Sequence, residues 1–167
     1  MLLCRRIEKY QTGRILMSVP IRTILFVCRG DTCLGPMATG LLKSALGNLK
    51  IADMTIESVG TMESAVGQPA EKNAIACMLE MGIDIKDHKS RPLSAVDPNK
   101  YDRIECLDHR AQVEVRMKIT GNLSKFRATV VLNPFSQNMD AYRLCAERLR
   151  PVINDLIEII ASPDLTL

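Results

Sequence analysis

Thr23-Ile24-Leu25-Phe26-Val27-Cys28-Arg29-Gly30-Asp31-Thr32-Cys33-Leu34-Gly35-Pro36 is the stretch whose reading decides the fold. Its first five residues are an apolar run that predicts a buried strand, and Met37 to Leu46 has the spacing of a helix. Between them lies a glycine-punctuated loop that opens on Cys28, with Pro36 at the first turn of the helix. A strand, loop and helix so arranged gather backbone N–H groups and the positive end of a helix dipole on one spot, which suits an anion. The same donors lower the pKa of a cysteine. Cys28 therefore stands where a nucleophilic thiolate would be made.

Outward from this stretch the pattern alternates. Strands are predicted at Thr23 to Val27, Met54 to Ser58, Arg103 to Leu107 and Ala128 to Leu132, and helices at Met37 to Leu46, Ala70 to Met81, Arg110 to Lys118 and Asn138 to Ile160. The alternation predicts an α/β fold, a four-stranded parallel sheet with helices on both faces. A ligand of such a sheet sits at the carboxyl ends of the strands, where Cys28, Asp108 and Asn133 fall. The last helix carries an apolar stripe from Met139 to Ile160, and Pro151 inside it predicts a kink.

Ile24-Leu25-Phe26-Val27-Cys28-x-Gly30-x-x-Cys33-x-x-Pro36-x-Ala38 resembles the opening of the low-molecular-weight protein tyrosine phosphatases. Further stretches resemble that family's successive landmarks: Glu57 to Thr61, Gly67 to Ala70, Met81 to Ile85 with His88 to Leu93, Tyr101 to Asp108, and Asn133-Pro134-Phe135. The likeness runs from roughly Arg22 to Ala161. It implies the phosphatase type of parallel sheet and a cysteine-dependent phosphomonoesterase ancestry. It also implies an anion-binding loop of Cys28, Arg29, Gly30, Asp31, Thr32, Cys33, Leu34 and Gly35, with Cys28 as nucleophile. By the same likeness Asn133 holds the general-acid position, Phe135 a pocket wall and His88 a support of the loop.

The departures fall where the family does its chemistry. The loop arginine, six residues after the cysteine, is Leu34 here, and no apolar side chain replaces a planar guanidinium on phosphate. None of the other five cysteines has an arginine at that spacing. The family's loop serine is Gly35 and its loop asparagine is Asp31. Its general-acid aspartate is Asn133, and an amide has no proton to give a leaving phenolate. A transition-state arginine is worth about 10³- to 10⁵-fold and a general acid about 10²- to 10⁴-fold, although such losses do not add. The expectation is a catalytically impaired pseudophosphatase with a binding or regulatory role and a phosphoprotein or regulatory protein partner. One alternative is a slow phosphatase working through a Cys28 phosphoenzyme, with Arg29 standing in for the missing arginine. A lower one is a thiol redox or arsenate-reductase-like protein using Cys28 and Cys33. Asp31 has two readings as well, a hydrogen-bonded brace of the loop or a charge that raises the Cys28 pKa and repels phosphate.

Composition bounds the rest. The 167 residues, 47% hydrophobic, suffice for one core. Residues 1–20 read as an N-terminal extension and 21–167 as a single phosphatase-like domain. The net charge of +3 resides in residues 1–16, whose Arg5, Arg6, Lys9 and Arg14 outnumber Glu8, so the domain is neutral. With 4% aromatics and no Trp, neither a nucleic-acid nor a membrane partner is expected. Six scattered cysteines, with no Cys-x2-Cys or His-x3-His spacing, predict reduced thiols, no metal, no cofactor and a cytoplasmic protein.

Overall fold

A computed structural model describes residues 20–161, so the expected extension lies, but for Pro20, outside the described residues. Four strands, β1 (Thr23–Cys28), β2 (Thr55–Gly60), β3 (Arg103–Cys106) and β4 (Phe126–Ala128), form one parallel sheet in the order β2-β1-β3-β4. Helices α1 (Leu34–Asn48), α2 (Lys72–Glu80), α3 (His109–Lys118) and α4 (Met139–Ala161) connect and cover it. The expected α/β sheet is the one found.

Strand β1 runs down the middle, and its sequence shows why. Ile24 and Phe26 face the cluster built by α1, α2 and α4, while Leu25 and Val27 face the smaller cluster under α3. All four are fully buried, as a strand covered on both faces requires. Asp102, just before β3, clamps the entry of β1: its Oδ2 accepts from the N–H groups of Arg22 and Thr23 and from the Thr23 hydroxyl, at 2.8 to 2.9 Å.

Two elements, α1 and β4, depart furthest from the sequence pattern, and the other boundaries fall within two residues of it. Helix α1 begins at Leu34, three residues before Met37, so the loop is tighter than expected and Leu34 belongs to the helix. Strand β4 ends at Ala128, whereas the apolar pattern placed it over Ala128 to Leu132. Beyond Ala128 the chain still follows β3, with Thr129 and Val131 donating to the carbonyls of Cys106 and Leu107, but Val130 and Leu132 turn to solvent. Pro151 lies on the exposed side of α4, which is helical throughout its length. Among the described residues no helix is long and apolar enough to cross a membrane.

Burial has a measurable consequence. It pushes the thiols of Cys28 and Cys106 well above their ordinary values, with nearby carboxylates adding to both shifts, and that of Cys145 up to about 12, with the neighbouring cysteines Cys33 and Cys77 adding to it. In the unfolded chain these thiols ionise near pH 8.5. Above that pH the unfolded state sheds protons that the folded state keeps, so stability falls as pH rises. Urea unfolding at pH 7, 8, 9 and 10 should show a flat stability up to about pH 8 and a progressive loss beyond it. Undiminished stability at pH 10 would contradict the burial of these groups.

Candidate active site

The site grows from the carboxyl end of β1. Cys28 closes the strand, 2% exposed, and the chain then turns through Arg29 to Cys33 into α1. The turn is made at Asp31, whose φ of +53° lies in the left-handed region that aspartate tolerates better than most residues. The N–H groups of Asp31 and Gly35 point at the Cys28 sulfur. The loop packs closely on β2: a Cβ on Gly60 would fall 3.0 Å from the Arg29 carbonyl oxygen and 3.0 Å from the Gly30 carbonyl carbon. Only glycine fits there. Thr61 and Met62 then donate to the carbonyls of Cys28 and Arg29, which ties the loop to the exit of β2.

Asp31 is the centre of the arrangement. It is fully buried, its Oδ2 accepts from the Arg91 N–H at 3.2 Å and lies 3.3 Å from His88 Nε2, and its carbonyl oxygen is 2.7 Å from the same imidazole nitrogen. Ser90 adds a hydroxyl bond to the Gly30 carbonyl at 2.9 Å. Asp31 is thus a brace, and His88 contacts the loop through it. The other carboxylate oxygen, Oδ1, is buried without a hydrogen-bond partner, and so is the Ser58 hydroxyl beside it. A Cβ on Gly35 would lie 2.1 Å from Asp31 Oδ1 and 3.0 Å from Ser58 Cβ. The carboxylate therefore occupies the space that a side chain at position 35 would need.

The electrostatics follow. Burial, then the Asp31 charge, holds the Cys28 thiol well above its usual pKa, and the two loop N–H groups only partly offset this. Both readings of Asp31 hold together: it braces the loop and it disfavours the thiolate. Leu34 is 1% exposed within the same apolar cluster as Met37, Ala38 and Tyr142, so its side chain is part of the core. The Arg29 side chain forms no hydrogen bond or ion pair among the described residues, and the residue is exposed. Cys33 is a buried free thiol, its sulfur 3.7 Å from the Tyr142 hydroxyl and 3.9 Å from that of Thr32.

Asn133 and Phe135 come from the segment after β4. Asn133 Oδ1 accepts from the Phe135 N–H at 3.1 Å, which spends the amide on its own turn, and the Phe135 ring is 53% exposed. Asp108 caps α3 through Oδ1 to the Ala111 N–H, while its Oδ2 is buried without a partner. Sequence reasoning missed Ser58, Met62, Ser90 and Arg91 as individual contributors. The Met62 methyl would lie 3.6 Å from a Cβ on Gly30, so an apolar side chain leans over the loop. Among the described residues no group of three or more His, Cys, Asp or Glu side chains is placed to hold a metal ion.

The model of the family described as low molecular weight phosphotyrosine protein phosphatase matches residues 23–162. The chain belongs to this family. A probable low molecular weight protein-tyrosine-phosphatase, EpsP, of Ralstonia nicotianae is 26% identical over 136 residues, 78% of this chain and 90% of that protein. A protein-arginine-phosphatase of Bacillus subtilis is 26% identical over 146 residues, 80% of this chain and 93% of its own. The crystal structure of the low molecular weight protein tyrosine phosphatase from T. tengcongensis superposes with a TM-score of 0.74 at 27% identity, covering 82% of this chain and 98% of that one.

The contact between Gly35 and Asp31 makes a direct prediction. Gly35→Ser must displace the carboxylate from Arg91 and His88, and should cost about 1 to 3 kcal/mol in urea unfolding. Asp31→Ala removes the obstacle, so the double variant should be more stable than the sum of the single effects by at least about 0.5 kcal/mol. Strict additivity would show that the two positions do not compete for the same space.

Proposed function

We propose that this chain keeps the phosphatase framework but is catalytically impaired, and that it acts by binding a phosphoprotein or regulatory protein partner. The observation that carries this reading is the burial of Leu34 in the core, at the position of the family's loop arginine. With it goes the source of charge-assisted hydrogen bonds to a phosphoryl group, worth roughly 1.5 to 3 kcal/mol each. What remains is a set of loop N–H groups and a helix end that contribute about 0.3 to 2 kcal/mol. Asp31 sets a carboxylate behind that loop, and Asn133 offers no transferable proton. A slow phosphatase remains the second reading, favoured by the two loop N–H groups that still aim at the Cys28 sulfur.

Three measurements separate the readings. Purified protein should turn over an aryl phosphate at least about 10³-fold more slowly than an enzyme with the arginine in place. Vanadate should bind more weakly than about 1 mM by calorimetry. The pH dependence of Cys28 alkylation should inflect above its ordinary range and shift downward in Asp31→Asn, because that change removes the negative charge opposing the thiolate. Leu34→Arg combined with Asn133→Asp and Asp31→Asn should raise aryl phosphate turnover by at least about 10²-fold. Ordinary turnover by the natural chain that Cys28→Ser abolishes would sink the impaired reading, and slow turnover with a phosphocysteine trapped at Cys28 would establish the second.

A further inference from the structure

The face of β3 under α4 carries charges where the topology calls for apolar side chains. Ile24 and Phe26 are the register partners of Arg103 and Glu105 and are fully buried in the main core, so these two charged residues sit on the core face. Both are buried, with side chains 10% and 3% exposed, and Arg103 Nε donates to Glu105 Oε1 at 2.7 Å. A buried pair of this kind gains little net stability, because desolvation of two ions consumes most of their attraction. It therefore invites a reason other than packing.

A cavity of about 330 Å³ opens over the pair. Arg127 from β4, the register partner of Glu105, lines it together with Asp155 and Glu158 from α4 and Thr129. Among the described residues the bond to Glu105 is the one hydrogen bond that the Arg103 guanidinium makes, and Arg127, Asp155 and Glu158 enter no ion pair. The charge of Arg127 favours the ionised Glu105 and that of Asp155 opposes it, so both act on the pair from the cavity side. The cavity thus holds two guanidinium groups against three carboxylates, of which Arg127, Asp155 and Glu158 stand outside any ion pair beside the bonded Arg103–Glu105 pair.

We propose that this cavity is a binding site for a small zwitterion of the α-amino-acid type, preferentially a cationic one. The ligand carboxylate would lie between the guanidinium groups of Arg103 and Arg127, whose planar forks match its two oxygens. Its ammonium groups would face Asp155 and Glu158, and the excess of one carboxylate in the lining selects a second positive charge. The volume is at the small end of ligand cavities and suits a single amino acid. The site lies across β3 and β4 beneath α4, uses no residue of the Cys28 loop and does not depend on the activity proposed for that loop.

Calorimetric titration of the intact chain with L-lysine, L-alanine and L-glutamate tests the proposal, with amide shift mapping of residues 103–105, 127–129 and 152–159. L-lysine should bind with a Kd of about 1 mM or tighter, L-alanine less tightly and L-glutamate least. Arg127→Ala and Asp155→Asn, both at exposed positions, should each weaken L-lysine binding by about tenfold while leaving the melting temperature unchanged. Absence of L-lysine binding up to about 20 mM, equal affinity for L-glutamate, or unaltered binding in both variants would each overturn it.

Discussion

A buried carboxylate organises this molecule's one unusual loop. Asp31 sits in a left-handed turn with no exposure to solvent, held by the Arg91 N–H and the His88 imidazole on one oxygen and by nothing on the other. Such a group is stable only while its partners remain in place, because an ionised carboxylate without them costs several kcal/mol in a low-dielectric setting. The segment from His88 to Arg91 is therefore bound to the loop by more than sequence proximity, and Ser90 repeats the tie through Gly30. Gly35 is the complementary half of the device, since any side chain there meets Asp31 first.

The same carboxylate links architecture to chemistry. A cysteine at a helix start with two N–H groups aimed at its sulfur has half of what a thiolate needs. The other half is an electropositive surround, and here the nearest charged group is negative and the surface is closed. Burial and Asp31 act in the same direction, so the geometry of an anion cradle and a raised thiol pKa coexist in one loop. Shape alone therefore says little about activity in this fold, and the charge under the loop is read beside it.

Much of this was legible in the sequence because it is written in local pattern. The alternation of Thr23 to Val27 with the helix after Pro36 points to a buried parallel strand, and the resemblance to the family's loop sets Leu34 at the place of its arginine. Less legible were features that depend on distant contacts. Val130 and Leu132 look like a strand by periodicity, and the chain there still bonds to β3 through Thr129 and Val131, but these two side chains alternate with the buried Val131 and face water. Gly35 looked like a plain loss of a hydroxyl, and only the position of Asp31 Oδ1 shows it to be a steric partner. The Arg103-x-Glu105 alternation did carry a signal, since two charges of opposite sign on one face of a central strand are unusual, but the cavity above them needs α4 and β4 to be in place.

Leu34 and Asp31 also bear on why such a loop persists in a stable fold. Placing a leucine in the core at the arginine position contributes roughly 1.5 to 3 kcal/mol of apolar burial. Leaving Asp31 Oδ1 without a partner costs about 1 to 3 kcal/mol. The two effects are of similar size and opposite sign, so this loop composition need not weaken the protein. An arginine aimed across the same loop would give up that burial and concentrate positive charge at a helix start, where the macrodipole already disfavours it. Catalytic loops bear such costs only where turnover requires them. With Leu34 in the core, Gly35 giving way to Asp31 and Asn133 Oδ1 closing its own turn, these residues serve packing and local hydrogen bonding.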